Sequence, residues 1–242
     1  RYQVRATDAA GNLSSYSSIA SATTQSTAPT NCSDANIRCV PSEYTTIQAC
    51  ANAAVAGDTC VVSAGSYVGW TQSTNGSAGL PITFRPNTGD TVTITSQITL
   101  TSRDYITIDG IILHTVSTSS SICDASFITI KNSPSFTTTS SDSTRISICG
   151  DDILVENNTL SGDTDGADFV NIHGQRWVVR NNVVTALLQA DSNIHIDFFQ
   201  AQCISNTPGY GLLENNRFED STDANTHFYL QNLLGGPCVT DN

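Results

Sequence analysis

A short unit recurs along the chain: alternating apolar and polar residues, then a tight polar turn. It reads Tyr105-Ile-Thr-Ile-Asp-Gly-Ile-Ile-Leu113, Phe127-Ile-Thr-Ile-Lys-Asn132, Ile153-Leu-Val-Glu-Asn-Asn-Thr-Leu160, Trp177-Val-Val-Arg-Asn-Asn-Val-Val184 and Gly211-Leu-Leu-Glu-Asn-Asn-Arg-Phe218. Strict alternation marks a strand with one face buried, and repetition at a few tens of residues marks a solenoid whose coils stack. With Ile108, Ile130, Val155, Val179 and Leu213 taken as equivalent, the steps are 22, 25, 24 and 34 residues. The first three suit one coil each, and the last leaves room for a longer excursion within Ala186 to Tyr210. Stacked strands lie about 4.8 Å apart, so equivalent side chains form ladders. The pairs Asn157/Asn158, Asn181/Asn182 and Asn215/Asn216 are therefore expected to stack, since Asn both donates and accepts and tolerates a left-handed turn. That ladder is a structural device.

Upstream the period changes. Tyr44-Thr-Thr-Ile-Gln-Ala-Cys-Ala-Asn-Ala-Ala-Val-Ala-Gly-Asp58 places Ile47, Cys50, Ala51, Ala54 and Val55 at helical spacing, with Thr45 or Thr46 to cap the start and Gly57 to end it. Thr59-Cys-Val-Val-Ser-Ala-Gly-Ser-Tyr67 then reads as strand and turn. These two segments together resemble the amino-terminal cap and first coil of the pectin-lyase-like superfamily. That resemblance implies an all-β fold, a right-handed parallel β-helix over 44–242 with a short capping helix that plugs the solenoid's open end. Residues 1–24 alternate on both sides of an Asp-Ala-Ala-Gly-Asn turn, a β-hairpin pattern. The run Tyr2-Gln-Val-Arg-Ala-Thr-Asp-Ala-Ala-Gly-Asn-Leu-Ser14 is similar to the closing hairpin of a fibronectin type III domain. Residues 25–43, rich in Ser, Thr and Pro where they begin, read as a linker.

Composition agrees with β structure. Charged residues are only 13% of the 242, so solubility rests on Ser, Thr and Asn, and the formal net charge is −12. Lys131 is the one lysine and the arginines form no stripe, which argues against nucleic acid as a partner. Such a field also repels an acidic sugar polymer unless a divalent cation bridges the two. No run of about 18 apolar residues offers a membrane span. The eight cysteines fall in neighbouring pairs, Cys32/Cys39, Cys50/Cys60, Cys123/Cys149 and Cys203/Cys238, without the spacing zinc requires. Sequential disulfides in an oxidising, extracellular or cell-surface compartment are the expectation.

Candidate chemistry lies on a second set of strands: Asp168-Phe-Val-Asn-Ile172, Asp197-Phe-Phe-Gln-Ala201 and His227-Phe-Tyr-Leu-Gln231. Phe169, Phe198 and Phe228 are expected to form one inward ladder and Asp168, Asp197 and His227 one outward column, with His173, His195 and Gln200 nearby as ligand-binding candidates. Two carboxylates one rung apart have the spacing of a retaining glycosidase pair. The same three groups also suit calcium, and polar residues on an exposed strand face are ordinary as well. Trp70, Trp177, Tyr67, Tyr105 and Tyr210 are candidates to stack on sugar rings or to pack internally.

The superfamily resemblance implies polysaccharide as the partner class, handled by lyases, hydrolases, esterases, or non-catalytic tailspikes and adhesins. A lyase base beside the Asp column is not in view. Lys131 falls in a turn, and Arg180 takes a turn position that is Glu156 and Glu214 in neighbouring coils. Asn193-Ile-His-Ile-Asp-Phe-Phe-Gln200 is similar to an H-x-D-x-x-Q stretch of secreted β-helix repeats that carries no particular activity. The leading expectation is a surface or appendage module, structural or adhesive, facing carbohydrate or further copies of itself. The alternative is a secreted polysaccharide lyase or glycoside hydrolase.

Overall fold

The computed structural model describes residues 7–8, 10–14, 32–118, 123–137, 144–161, 168–185, 197–203, 209–219, 227–232 and 238–240; at 161, 197, 202–203, 209–210, 218–219, 227–232 and 238–240 the description covers the backbone alone. Its strands pair in parallel, each with the equivalent segment of the next coil, to give a β-solenoid with three faces. Sheet 1 runs from Ile37–Val40 and Thr59–Val62 through Ile82–Pro86, Asp104–Asp109, Ala125–Lys131, Leu154–Glu156 and Trp177–Arg180 to Gly209–Glu214 and Cys238–Thr240. Sheet 2 holds Ile98–Thr99, Val116–Ser117, Ile146–Asp151, Val170–His173, Asp197–Cys203 and His227–Asn232. The third face is made by Gly65–Tyr67 with Val92–Ile94, by isolated bridges at Ile112 and Phe136, and by Thr159–Ser161, Val183–Thr185 and Arg217–Glu219. The strand Ile146–Asp151 turns a corner, pairing in sheet 2 at its start and in sheet 1 at its end.

The coil register follows the hydrophobic pattern. Ile108 pairs with Ile130, Ile130 with Val155, Val155 with Val179 and Val179 with Leu213, as the spacing predicts. Phe84, Ile108, Ile130, Val155 and Val179 are fully buried, and Leu213 packs against them. Each such side chain contributes roughly 1.5–3 kcal/mol by leaving water.

The first rung lies inside the stretch read as a linker. Ile37–Val40 pairs in register with Thr59–Val62, so the paired solenoid begins at Ile37 and not at Tyr44. Helix α1 spans Ile47–Ala53; Thr46 is its N-cap, accepting the Ala49 N–H at 3.0 Å. Ile47, Cys50, Ala51 and Ala54 are buried, but Val55 is 57% exposed because the chain has already left the helix at Ala54. Gly57, at φ +90°, belongs to the turn that follows. Disulfides join Cys32 to Cys39, Cys50 to Cys60 and Cys123 to Cys149. The second of these ties α1 to its neighbouring strand. The sulfurs of Cys203 and Cys238 lie outside the described residues.

Of the amino-terminal segment, an antiparallel bridge between Thr7 and Leu13 is described, closed by Asp8, whose carboxylate accepts the backbone N–H groups of Ala10 and Asn12 and the Asn12 side-chain amide, each at 2.9 Å. Nothing among the described residues extends this turn to a fibronectin type III domain.

Sheet 1 passes to the third face through the Asn corner, where the two residues of each pair divide the work. Asn132, Asn157, Asn181 and Asn215 take φ of +51° to +56°, the left-handed turn. The residues after them point inward. Asn158 is 1% exposed and Asn182 is fully buried. Asn182 Oδ1 accepts both the backbone N–H (2.9 Å) and the side-chain amide (3.0 Å) of Asn158. Asn182 Nδ2 donates to the carbonyls of Val155 and Arg180 and to Asn216 Oδ1, all at 3.0 Å. Ser133 begins the column, donating its N–H to Asn158 Oδ1 at 2.9 Å. Each amide thus satisfies buried polar groups of the coil on either side.

Beside this corner, on the outside of sheet 1, the charges alternate in sign from rung to rung: Asp109, Lys131, Glu156, Arg180, Glu214. Lys131 lies 3.5 Å from Asp109 and Arg180 lies 2.7 Å from Glu156. These half-exposed pairs are each worth at most about 1 kcal/mol.

The two roles at the Asn corner separate by mutation. Asn182→Ala is expected to destabilise the fold by about 3 kcal/mol or more, because it strands several buried donors and acceptors. Asn181→Gly is expected to stay within about 1 kcal/mol, since glycine accepts the same left-handed backbone. Urea unfolding midpoints of the two variants check the contrast.

Candidate functional site

Sheet 2 brings together the strands that carry the candidate residues. Val170 pairs with Phe199 and Asn171 with Gln200, a register that, continued two residues back, sets Asp168 beside Asp197; Asp197 pairs with His227. At backbone level the three occupy successive rungs, about 4.8 Å apart. Asp168 is half-buried, and its carbonyl accepts the Arg145 N–H at 2.8 Å. The side chains of Asp197 and His227, and the whole of His195, lie outside the described residues.

The inward aromatic ladder is described at two of its three expected members, the Phe228 ring lying outside the described residues. Phe169 and Phe198 are fully buried with ring centroids 5.5 Å apart. A register shift between Asp197 and Phe199 then places Phe228 opposite Phe199 instead of Phe198. The extra residue at such a bulge re-aims the side chains on either side of it.

The outer face of sheet 2 is an uncharged polar column. Thr71, Thr99, Ser117, Ser147, Asn171 and Gln200 are register partners in succession. Gln97 Nε2 donates to Ser117 Oγ at 2.5 Å, and Asn171 Nδ2 donates to Gln200 Oε1 at 2.6 Å. Asn171 Oδ1 is buried and has no hydrogen-bond partner. Two residues along the same strand, half-buried His173 lies opposite Cys149 and Gln202. Burial holds the His173 imidazole below its ordinary pKa. His114, on the approach to Val116–Ser117, is lowered by burial and then by the nearby Arg145 charge. Arg145 itself is fully buried.

Hydroxyls and amides in this arrangement donate and accept at a regular spacing, which suits the hydroxyls of a sugar chain. Among the described residues no group of three His, Cys, Asp or Glu side chains is placed to hold a metal. Asn171 is a functional candidate that the sequence reading passed over, although it repeats as Gln200 at the interval that relates Asp168 to Asp197. His114 lies in an irregular stretch where no repeat marks it.

The aromatic candidates divide. Trp70 and Trp177 are each 2% exposed and pack on Phe84 and Phe199, with centroids at 4.5 and 4.6 Å. Tyr67 donates its hydroxyl to the Ser63 carbonyl at 3.0 Å. Tyr105 stacks on Phe127 at 4.4 Å and 3°. The Tyr210 ring lies outside the described residues. Lys131 and Arg180 are both on sheet 1, bonded to carboxylates and away from the Asp168 column.

No protein-family model matches the chain, and no curated protein matches it. Among solved structures it is similar to an alginate lyase from Paenibacillus sp. str. FPU-7, with 14% identity over 76% of this chain and 94% of that one and a TM-score of 0.33. That likeness is too distant to bear on what this chain does.

The lowered histidines fix a pH dependence. Unfolded, both imidazoles titrate near the usual value of about 6.5; folded, burial resists their protonation. Above that value neither state holds the proton and stability is unaffected. As pH falls through it, the unfolded chain takes up protons that the folded chain refuses, and stability declines. Thermal unfolding is therefore expected at a lower temperature at pH 5 than at pH 7.5, with a shallower decline in His173→Gln.

Proposed function

We propose that this protein is an extracellular carbohydrate-binding solenoid, a surface or appendage module whose sheet 2 holds a polysaccharide along its axis. The observation that carries this reading is the column Thr99, Ser117, Ser147, Asn171 and Gln200, which offers neutral hydrogen-bonding groups at every rung. Rungs recur at about 4.8 Å, comparable to the length of one pyranose unit, so an extended glycan meets the same chemistry sugar after sugar. Three disulfides fit the oxidising compartment in which such a module works. No helix among the described residues is long and apolar enough to cross a membrane.

A catalytic reading is supported by the pairing of Asp197 with His227 and by the register of Val170 with Phe199, which, extended two residues back, sets Asp168 beside Asp197. Two carboxylates at that spacing suit a retaining hydrolase, and with calcium between them they suit a lyase. In this version the same face binds the chain, and Asp168 and Asp197 act on one of its linkages.

Retention on insoluble polysaccharides tests the binding reading. Ser147→Trp, which obstructs the column, is expected to weaken retention about tenfold, while Lys131→Trp on sheet 1 leaves it unchanged. Equal loss in both variants, or in neither, would sink the assignment to sheet 2. Release of reducing ends or unsaturated products, present with the unaltered chain and lost in Asp168→Ala and Asp197→Ala, would replace the binding reading with the catalytic one. Both assays are run with and without calcium.

A further inference from the structure

We infer that the glycan held by sheet 2 is neutral and not a uronate, with Asn171, His173 and Gln200 forming its central subsite. This rests on the carbohydrate-binding reading and adds the chemical class of the ligand.

Recognition of a polyuronate needs cations facing it, because each sugar carries a carboxylate that must be neutralised or bridged. The described outward positions of sheet 2 are Thr99, Ser117, Ser147, Asn171, His173 and Gln200, none of them Lys or Arg. Of the described cations, Arg103 lies nearest the column, donating to the Ser73 carbonyl and to Asn75 beyond its Thr71 end. Lys131 and Arg180 are bonded to carboxylates on sheet 1, and Arg176 binds Asp151 and Asp152 at the corner leading into it. Arg145, at the edge of sheet 2, is fully buried and does not face a ligand. His173 adds no charge, because burial favours its neutral form. Asp168 and Asp197 border the same face, and the whole chain carries a formal net charge of −12, so the long-range field also opposes an anion.

What the subsite offers is neutral hydrogen bonding. The Asn171 amide commits one of its two N–H donors to Gln200. A neutral imidazole two residues along supplies one donor and one acceptor. Every sugar ring carries hydroxyls that can meet these groups, and nothing in the subsite calls for a carboxylate.

The test is calorimetric titration of the intact chain, in EDTA, with cellohexaose, xylohexaose and mannohexaose against hexagalacturonate and hexamannuronate. At least one neutral hexasaccharide is expected to bind with an affinity unchanged by added sodium chloride, and the uronates are expected to bind at least about tenfold more weakly. Asn171→Asp, nearly isosteric, is expected to weaken neutral binding about tenfold; because it also removes the amide donor to Gln200 and lowers the unfolding temperature, the titration is run where the variant is fully folded. Ser147→Arg is expected to admit the uronates. Uronate binding as tight as neutral binding, or neutral binding suppressed by salt, overturns this inference and leaves the carbohydrate-binding reading standing. Failure of every hexasaccharide to bind overturns both.

Discussion

Backbone hydrogen bonding between successive coils constrains everything else in this molecule. A parallel strand has no free choice of neighbour: its N–H and C=O groups must meet those of the next coil at about 4.8 Å, and a displacement of one residue would turn the core face outward. Once that register is set, each residue shares its environment with its equivalents above and below. Ile108, Ile130, Val155 and Val179 become one column of core. Asn158 and Asn182 become one chain of buried amides. Ser117, Ser147, Asn171 and Gln200 become one polar strip.

The same constraint explains where the coils are free to vary. From Glu156 onward the passage from sheet 1 to the third face is a two-residue turn, because its second residue, the inward Asn, must land on its equivalents. Between the third face and sheet 2 the interval between strands lengthens, from Ser161 to Val170 and from Thr185 to Asp197. The passage from sheet 2 back to sheet 1 lengthens too, between Cys203 and Gly209. Sheet 2 is therefore the face bordered by variable connections on both sides, and the candidate residues lie on it.

The repeating part of the fold is written plainly in the sequence, since alternation and the Asn pairs mark each rung. The register through Ile108, Ile130, Val155, Val179 and Leu213 follows from spacing alone. Features that occur once are harder to read. Ile37–Val40 is a short strand with no repeat of its own turn, so it merges into Pro- and Ser-rich surroundings. The bulge at Asp197 and Phe199 adds a residue with no signature in the pattern. The Asn pairs look like one device in the sequence, and only the positive φ of the first member and the burial of the second divide them. At the candidate site, Asp168, Asp197 and His227 draw notice because they titrate. Gln200 is noticed beside them, whereas Asn171 does not titrate and becomes a candidate only through its outward position in register with Gln200.

The alternating charges on sheet 1 bear on how the coils find one another. Because each rung resembles the next in its apolar residues, a growing stack is at risk of skipping a coil and docking the chain onto the wrong neighbour. Such a skip would set Asp109 against Glu156, or Lys131 against Arg180, and the pairing would repel. Apolar columns cannot make that distinction, since one isoleucine serves as well as another. The charges, which add little to the finished structure, thus set the native order of coils apart from one with a coil skipped.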